Sequence, residues 1–452
     1  MNQTLFEKGQ TPAPSPGDVA AAAGGIPRLR TPHRTQIEMH WKSLDELLES
    51  NHPARIVWTA VCQLDLTPWL KTIKAVQGAV GRDATDPRLL LALWIFATID
   101  GVGSARELAR LCKKHIAYQW LCGGVSVNYH LLADFRSQGG EKWDALLTQI
   151  VGSLLAERLV SMTRVAQDGM RVRANAGKAS FRRRPRLEEC LRKAREQVAA
   201  LRQQLNEPCE TATRRQQAAR ERAARERQQR IENAVRQCEQ LQQQREESAK
   251  ASGRKPKEAR ASTTDPEARV MKFPDGGYQP GYNVQFSTDV ESGVIVGVDV
   301  TNHGTDQEEL PPMLDQLEER YDRVPAEALV DGGFASQKTI EDATASGCVV
   351  YAPLKEEWKQ LKAGRNPYAR KRDDSDAVAA WRERMGTEAA KLLYRLRSQT
   401  AEWVNAICRN RGMWQMPVRG GGKCRMVALL YAMAHNILQG VKLRAEAAVA
   451  SG

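Results

Sequence analysis

The sequence predicts an α/β protein: a mixed sheet covered by helices, with an all-α N-terminal domain and an inserted helical, coiled-coil hairpin. Three observations predict this. Short apolar, strand-like runs bounded by turn residues recur between residues 163 and 352. Helical patterns fill residues 36–160 and most of the chain after 355. Between the first strand run and the next lies a long Arg-, Gln-, Glu- and Ala-rich stretch that carries a heptad seam.

Residues 1–35 are rich in Pro, Gly, Ala and Thr and read as a mobile tail. In 36–160, Asp86-Pro87 places a cap and an N1 proline before the apolar run Leu89–Phe96. Gly101 and Gly103 end that helix, and Ser104 with Glu107 forms a capping-box pattern. Gly123-Gly124 precedes a further helix near Val127–Phe135. Helix, Gly turn and helix fit a helix-turn-helix that enters a DNA groove, and equally an ordinary helical bundle.

The catalytic region is expected at 161–440, with a tail at 441–452. Residues 163–172 read as a strand. Residues 182–260 form a basic helical insertion. Leu187, Leu191, Ala194, Val198, Leu201 and Leu205 give its first seam, Asn206-Glu207-Pro208 a break, and Thr213–Glu247 its second helix. Ser252–Pro266 reads as a basic linker. Strands then follow at Tyr282–Thr288 and Val294–Thr301, joined by the turn Glu291-Ser292-Gly293. A helix near Gln307–Tyr321, a strand at Ala328–Val330, a helix at Ser336–Ser346 and a strand at Cys348–Ala352 complete the pattern. Without its insertion the order is strand, strand, strand, helix, strand, helix, strand. That order matches a ribonuclease-H-like core.

The formal charge of the 452-residue chain is +13. The excess is concentrated, because residues 182–260 hold 22 Lys and Arg against 12 Asp and Glu. Such a segment suits a polyanion, nucleic acid being the commonest, unless it is only a solvated face. The nine Cys are scattered and include no CxxC pair, which argues against a disulfide framework and structural zinc. With no membrane-length apolar run and no leader-like start, the expected setting is the cytoplasm.

Two aspartates end short apolar runs and precede Gly: Asp168 in Val165-Ala166-Gln167-Asp168-Gly169, and Asp331 in Ala328-Leu329-Val330-Asp331-Gly332. Glu402 lies in a basic helical stretch. Carboxylates gathered by folding repel one another unless a cation sits among them, and oxygen ligands suit hard ions such as Mg²⁺. The chemistry indicated is metal-dependent attack on a phosphodiester. Asp299 and Asp306 are rival acids near the same sheet. His303 reads as a loop cap and His435-Asn436 as a packing pair.

Several phrases resemble the DDE transposases of bacterial insertion sequences, most closely insertion-sequence family 1182. They are Trp120-Leu121-Cys122-Gly123-Gly124 with Asn128-Tyr129-His130 and Asp134-Phe135-Arg136, then Gly281-Tyr282-Asn283-Val284-Gln285. The last is Ala401-Glu402-Trp403-Val404-Asn405 with Arg409-Asn410-Arg411-Gly412. The resemblance implies that Asp168, Asp331 and Glu402 bind two Mg²⁺ ions, with Mn²⁺ as a substitute. It implies a signature of Tyr394, Arg397, Glu402 and a last basic position, in which Tyr394, Arg397 and Arg409 contact phosphates and DNA. Arg409 stands where related families carry Lys, and the gap from Arg397 to Glu402 is one residue longer than in some of them. The implied partners are double-stranded DNA, as terminal inverted repeats and target, and further copies of the chain in a dimer or higher oligomer. The implied place is the nucleoid of a bacterial cytoplasm. Three other readings have distinct signatures: a decayed transposase that only binds DNA, a ribonuclease-H-like nuclease without strand transfer, and a structural coiled-coil protein.

Overall fold

The computed structural model describes residues 41–76, 83–205, 211–253 and 255–451. The expected tail at 1–35, the Asn206-Glu207-Pro208 break and Arg254 lie outside the described residues.

The N-terminal helices relevant here are α1 (Pro53–Cys62), α2 (Thr67–Leu70), α3 (Pro87–Ile99), α4 (Ala105–Lys114), α5 (Ile116–Cys122), α6 (Tyr129–Ser137) and α7 (Glu141–Ala156). The caps read from the sequence are in place. Asp86 accepts from the Arg88 amide at the start of α3, and Ser104 accepts from the Glu107 amide at the start of α4. Helix α3 is apolar on nearly every face because it is buried on nearly every face.

The sheet has six strands: β1 (Arg164–Arg173), β4 (Arg269–Lys272), β5 (Tyr278–Asp289), β6 (Ile295–Thr301), β7 (Glu327–Val330) and β8 (Val349–Tyr351). Strand β5 runs antiparallel to β1 and to β6, while β7 runs parallel to β1 and β8 parallel to β7. The order across the sheet is therefore β6-β5-β1-β7-β8, with the short β4 beside the start of β5. The outer edge of β6 is closed by side-chain amides. Asn436 bonds both the amide and the carbonyl of Ile295, and Gln316 does the same for Val298. Exposed strand edges invite pairing with other chains, and these two amides satisfy this one internally.

The insertion is a pair of helices, α8 (Arg184–Leu205) and α9 (Thr211–Ser252). Cross-helix contacts from Arg184 to Glu239, Arg195 to Glu232 and Arg202 to Glu221 run in opposite directions along the two helices, so they are antiparallel. Leu187, Ala194 and Val198 of the heptad seam are buried, whereas Leu191 and Leu201 are only partly so. The stretch read as a linker carries a short strand, β3 (Ala261–Ser262), paired with β2 (Phe181–Arg182). Its residues have backbone partners just outside the hairpin, which a reading of charge alone does not reveal.

Helices α10 (Leu310–Tyr321) and α11 (Gln337–Ala345) follow the strands as expected, and α12 (Glu357–Lys362) and α13 (Asp376–Met385) come after the last strand. The last helix, α16 (Gly421–Ser451), continues through the stretch expected to be a tail. The N-terminal helices are also less separate than their patterns suggest. One continuous apolar core includes Leu91 and Trp94 of α3, Trp143 of α7, Val284 and Phe286 of β5, and Leu429 and Met433 of α16.

Gly169 on β1 is fixed by a close approach. A Cβ there would lie 2.0 Å from Asp306 Oδ1 and 2.6 Å from Gln285 Nε2. Gly169→Ala should therefore lower unfolding free energy by about 1–3 kcal/mol, as overpacking in a filled interior does. Urea titration checks this, and unchanged stability would mean that the Asp306 loop moves freely away from the strand.

Candidate active site

The site is built by strand register and one helical irregularity. Gln167 pairs with Val330 in the parallel β1–β7 ladder, and the same register one residue further sets Asp331 beside Asp168. Side chains alternate along strands, so Ala166 and Asp168 share a face with Leu329 and Asp331. Ala166 and Leu329 pack against Ala401 on that face, which brings the segment carrying Glu402 over the two aspartates.

That segment consists of α14 (Glu388–Arg397), a π-helical turn (Ser398–Glu402) and α15 (Trp403–Asn410). In a regular α-helix, residues five apart point in different directions; the wider π turn brings them toward one side. The extra residue between Arg397 and Glu402 is thus absorbed as a π turn, and both side chains reach the same centre. The longer gap is what the resemblance implies, and the structure accommodates the five-residue spacing as a π turn.

The Arg397 guanidinium lies between two of the carboxylates. Nη2 donates to Asp168 Oδ1 at 2.9 Å, and Nη1 donates to Glu402 Oε1 at 2.8 Å. Asn405 Nδ2 donates to Asp168 Oδ2 at 2.9 Å, and the Gly169 amide donates to Oδ1 at 3.0 Å. Burial raises the Asp168 carboxyl above its ordinary value; the Arg397 charge opposes this, and Asp306 and Asp331 add to it. Burial lowers Arg397, but Asp168, Tyr394, Asp331 and Glu402 together outweigh that and raise it. Burial also raises the Tyr394 phenol, with Asp331, Glu402 and Asp168 contributing in the same direction. Asp331 itself is exposed at the mouth of the site.

Five of the six residues picked from the sequence thus meet: Asp168, Asp331, Tyr394, Arg397 and Glu402. Arg409 stands apart. Its guanidinium lies 5.7 Å from the centre of the Trp414 ring rather than among the carboxylates. The sequence motif gives Asn405 no role, although its place three residues after Glu402 sets both on one helix face. Asp306, a rival acid in sequence, accepts from Asn283 Nδ2 at 2.6 Å and Gln285 Nε2 at 2.8 Å, at the place a Gly169 side chain would occupy. Asp299 is drawn to Arg425 at 3.4 Å. His303 bonds Glu309 at 2.7 Å, and buried His435 bonds the Gly293 carbonyl at 2.8 Å, so neither joins the site.

The donors are oxygens: Asp168 and Glu402 bond the guanidinium, and Asp331 acts on it by its charge. This chemistry fits a hard divalent cation. Asn405 Oδ1 is also buried without a hydrogen-bond partner, leaving an acceptor beside Asp168. As the side chains stand, no three His, Cys, Asp or Glu residues among those described are grouped closely enough to hold an ion.

The sign of the Asp168 shift gives a stability prediction for chelator-treated protein. A raised folded-state value means that the carboxyl's contribution is present below the ordinary carboxylate value and is lost as pH rises through the raised one. The stability of Asp168→Asn relative to wild type should therefore improve as pH climbs through that window. Urea titrations across the carboxylate range test this, and a pH-independent difference would contradict it.

Among the described residues no helix is long and apolar enough to cross a membrane. No curated protein and no solved structure matches the chain. Two family models do match. Residues 248–437 match the transposase DDE domain, which takes in Asp331, Arg397 and Glu402 and begins after β1 and Asp168. Residues 42–138 match a transposase domain of otherwise undefined role, DUF772, which takes in helices α1 to α6. Joined in one chain, the two matches indicate a DNA transposase of the insertion-sequence kind.

Proposed function

We propose that the protein is a DDE transposase closest to insertion-sequence family 1182. It cleaves transposon ends and joins the freed 3′ hydroxyl to target DNA. The observation that carries this reading is the approach of Asp168, Asp331 and Glu402 to a single buried arginine. The strand order, with β5 and β6 antiparallel and β7 and β8 parallel to β1, supports a ribonuclease-H-like sheet beneath them.

In this reading Asp168, Asp331 and Glu402 would hold the divalent ions. Bound there, Mg²⁺ or Mn²⁺ would lower the pKa of the attacking water and stabilise the leaving 3′ oxygen. The protein's part is positioning. Asn405 fixes the plane of the Asp168 carboxylate, and the close packing of Asp306 against Gly169 holds the strand from behind. Arg397 can turn from the carboxylates to a phosphate that arrives with its own negative charge. Tyr394 and Arg409 contact the DNA backbone, and the chain works as a dimer or higher oligomer on its two ends.

The helical hairpin adds sequence-independent affinity for DNA. Many of its cations, including Arg184, Arg186, Arg192 and Arg225, are paired with glutamates of the hairpin. Arg214, Arg215, Arg220 and Arg222 of α9 are exposed and form no ion pair with a described residue.

Labelled duplexes carrying the ends of the element, incubated with the protein and Mg²⁺ and then with EDTA, test the reading. Cleavage leaving a 3′ hydroxyl, followed by its joining to a second duplex, is expected, and EDTA should stop both. Asp168→Asn and Glu402→Gln should each reduce cleavage roughly 100-fold or more, the scale of losing several kcal/mol of metal-assisted stabilisation. Duplex affinity should hold within about twofold, since the cationic surface is untouched. Cleavage without joining would make the protein a nuclease, and wild-type rates in both variants would remove the carboxylates from catalysis.

A further inference from the structure

We infer that Trp414 and Arg409 form a stacking platform for a nucleobase of the DNA strand at the carboxylate centre, with the base on the indole and an adjacent phosphate on the guanidinium. The inference rests on the transposase reading, because it assumes that DNA occupies that centre.

Trp414 is 62 % exposed, although a side chain of this size usually contributes its area to a core. The exposure does not come from a loose segment. Met413 and Met416 on either side are 2 % and 1 % exposed. The Arg173 amide donates to the Trp414 carbonyl at 3.1 Å, and the Met416 amide donates to the Arg173 carbonyl at 2.8 Å. The preceding Gly412 has φ +94°, a left-handed conformation that favours glycine, and a Cβ there would lie 3.4 Å from the Gly101 carbonyl oxygen. The backbone is clamped to the end of β1 while the ring stands in solvent.

Position supplies the link to DNA. Strand β1 also carries Asp168, five residues before Arg173, or roughly 17 Å along an extended strand. Arg409 lies seven residues after Glu402, two helical turns along the same side of α15. Glu402, Asn405, Arg409 and Trp414 therefore lead away from the centre in order. The Arg409 side chain makes no ion pair or hydrogen bond with any described residue and rests 5.7 Å from the Trp414 ring centre.

A cation without a carboxylate partner beside an open π face matches both parts of a nucleotide. The base stacks, and the phosphate accepts from the guanidinium. An apolar protein partner fits less well. Trp414 is the one large apolar side chain left exposed between residues 404 and 440.

The test uses the full chain and two labelled duplexes of one sequence, one blunt and one with a five-nucleotide single-stranded overhang containing 2-aminopurine. Trp414→Ala should bind the overhang duplex about 10-fold more weakly, within the range for losing one stacked base, and the blunt duplex as wild type does. Trp414→Phe, which keeps a ring, should restore binding to within about threefold. Quenching of 2-aminopurine should appear with wild type and Trp414→Phe and be absent with Trp414→Ala. Unchanged overhang binding and quenching in Trp414→Ala would overturn the platform. Equal losses on both duplexes would overturn it too, by pointing to a structural role. Wild type that binds neither duplex would instead defeat the transposase reading and the platform with it.

Discussion

The structure depends on one buried guanidinium. Asp168 sits in mid-sheet, desolvated and within the field of Asp331 and Asp306, an arrangement that pushes its carboxyl toward the protonated form. Arg397 offsets this by bonding Asp168 and Glu402 at once. Breaking a buried pair of this kind by removing one partner costs on the order of 3–5 kcal/mol, because the remaining charge is left uncompensated. The π turn, the packing of Ala401 on Ala166 and Leu329, and the Asn405 amide all keep that contact in place. Negative charge gathered around one buried cation is the kind of setting that suits divalent ions.

The scaffold isolates this centre from the hairpin. Strands β2 and β3 pair Phe181 with Ser262, so the chain leaves for the insertion and returns from it at neighbouring points. The sheet can therefore close as though the 42-residue helix α9 and its partner were absent. Helix α16 joins the N-terminal helices to the edge of β6 through Asn436 and a shared core. Forces on the N-terminal helices can reach the sheet through that helix.

Much of this was legible in the sequence because it is local. Asp86-Pro87 and Ser104 announce helix starts by their own hydrogen bonds, and the heptad of Leu187, Ala194 and Val198 announces a paired helix. The setting of Asp168 and Asp331 at the ends of apolar runs singles them out as a pair. What was not legible depends on partners far away in the chain. The bond from Arg397 to Asp168 spans 229 residues. The need for Gly at 169 comes from Asp306, and the burial of Gln167 is offset by bonds to Gln285 and the Glu309 carbonyl. Strand β4 escapes a reading by pattern because its four residues are too few to show a period. The resemblance sets Arg409 beside Arg397 as a phosphate contact, yet its neighbour in space is Trp414.

The central claim is that Asp168, Asp331 and Glu402 form one cation-receiving centre in which Arg397 is the resident counter-charge. Anomalous diffraction from crystals soaked in Mn²⁺ tests it most directly. The account predicts Mn²⁺ peaks bounded by Asp168 and Asp331 and by Asp168 and Glu402, with the Arg397 side chain withdrawn from at least one carboxylate. Mn²⁺ bound elsewhere, with both Arg397 contacts intact at saturating metal, would contradict it.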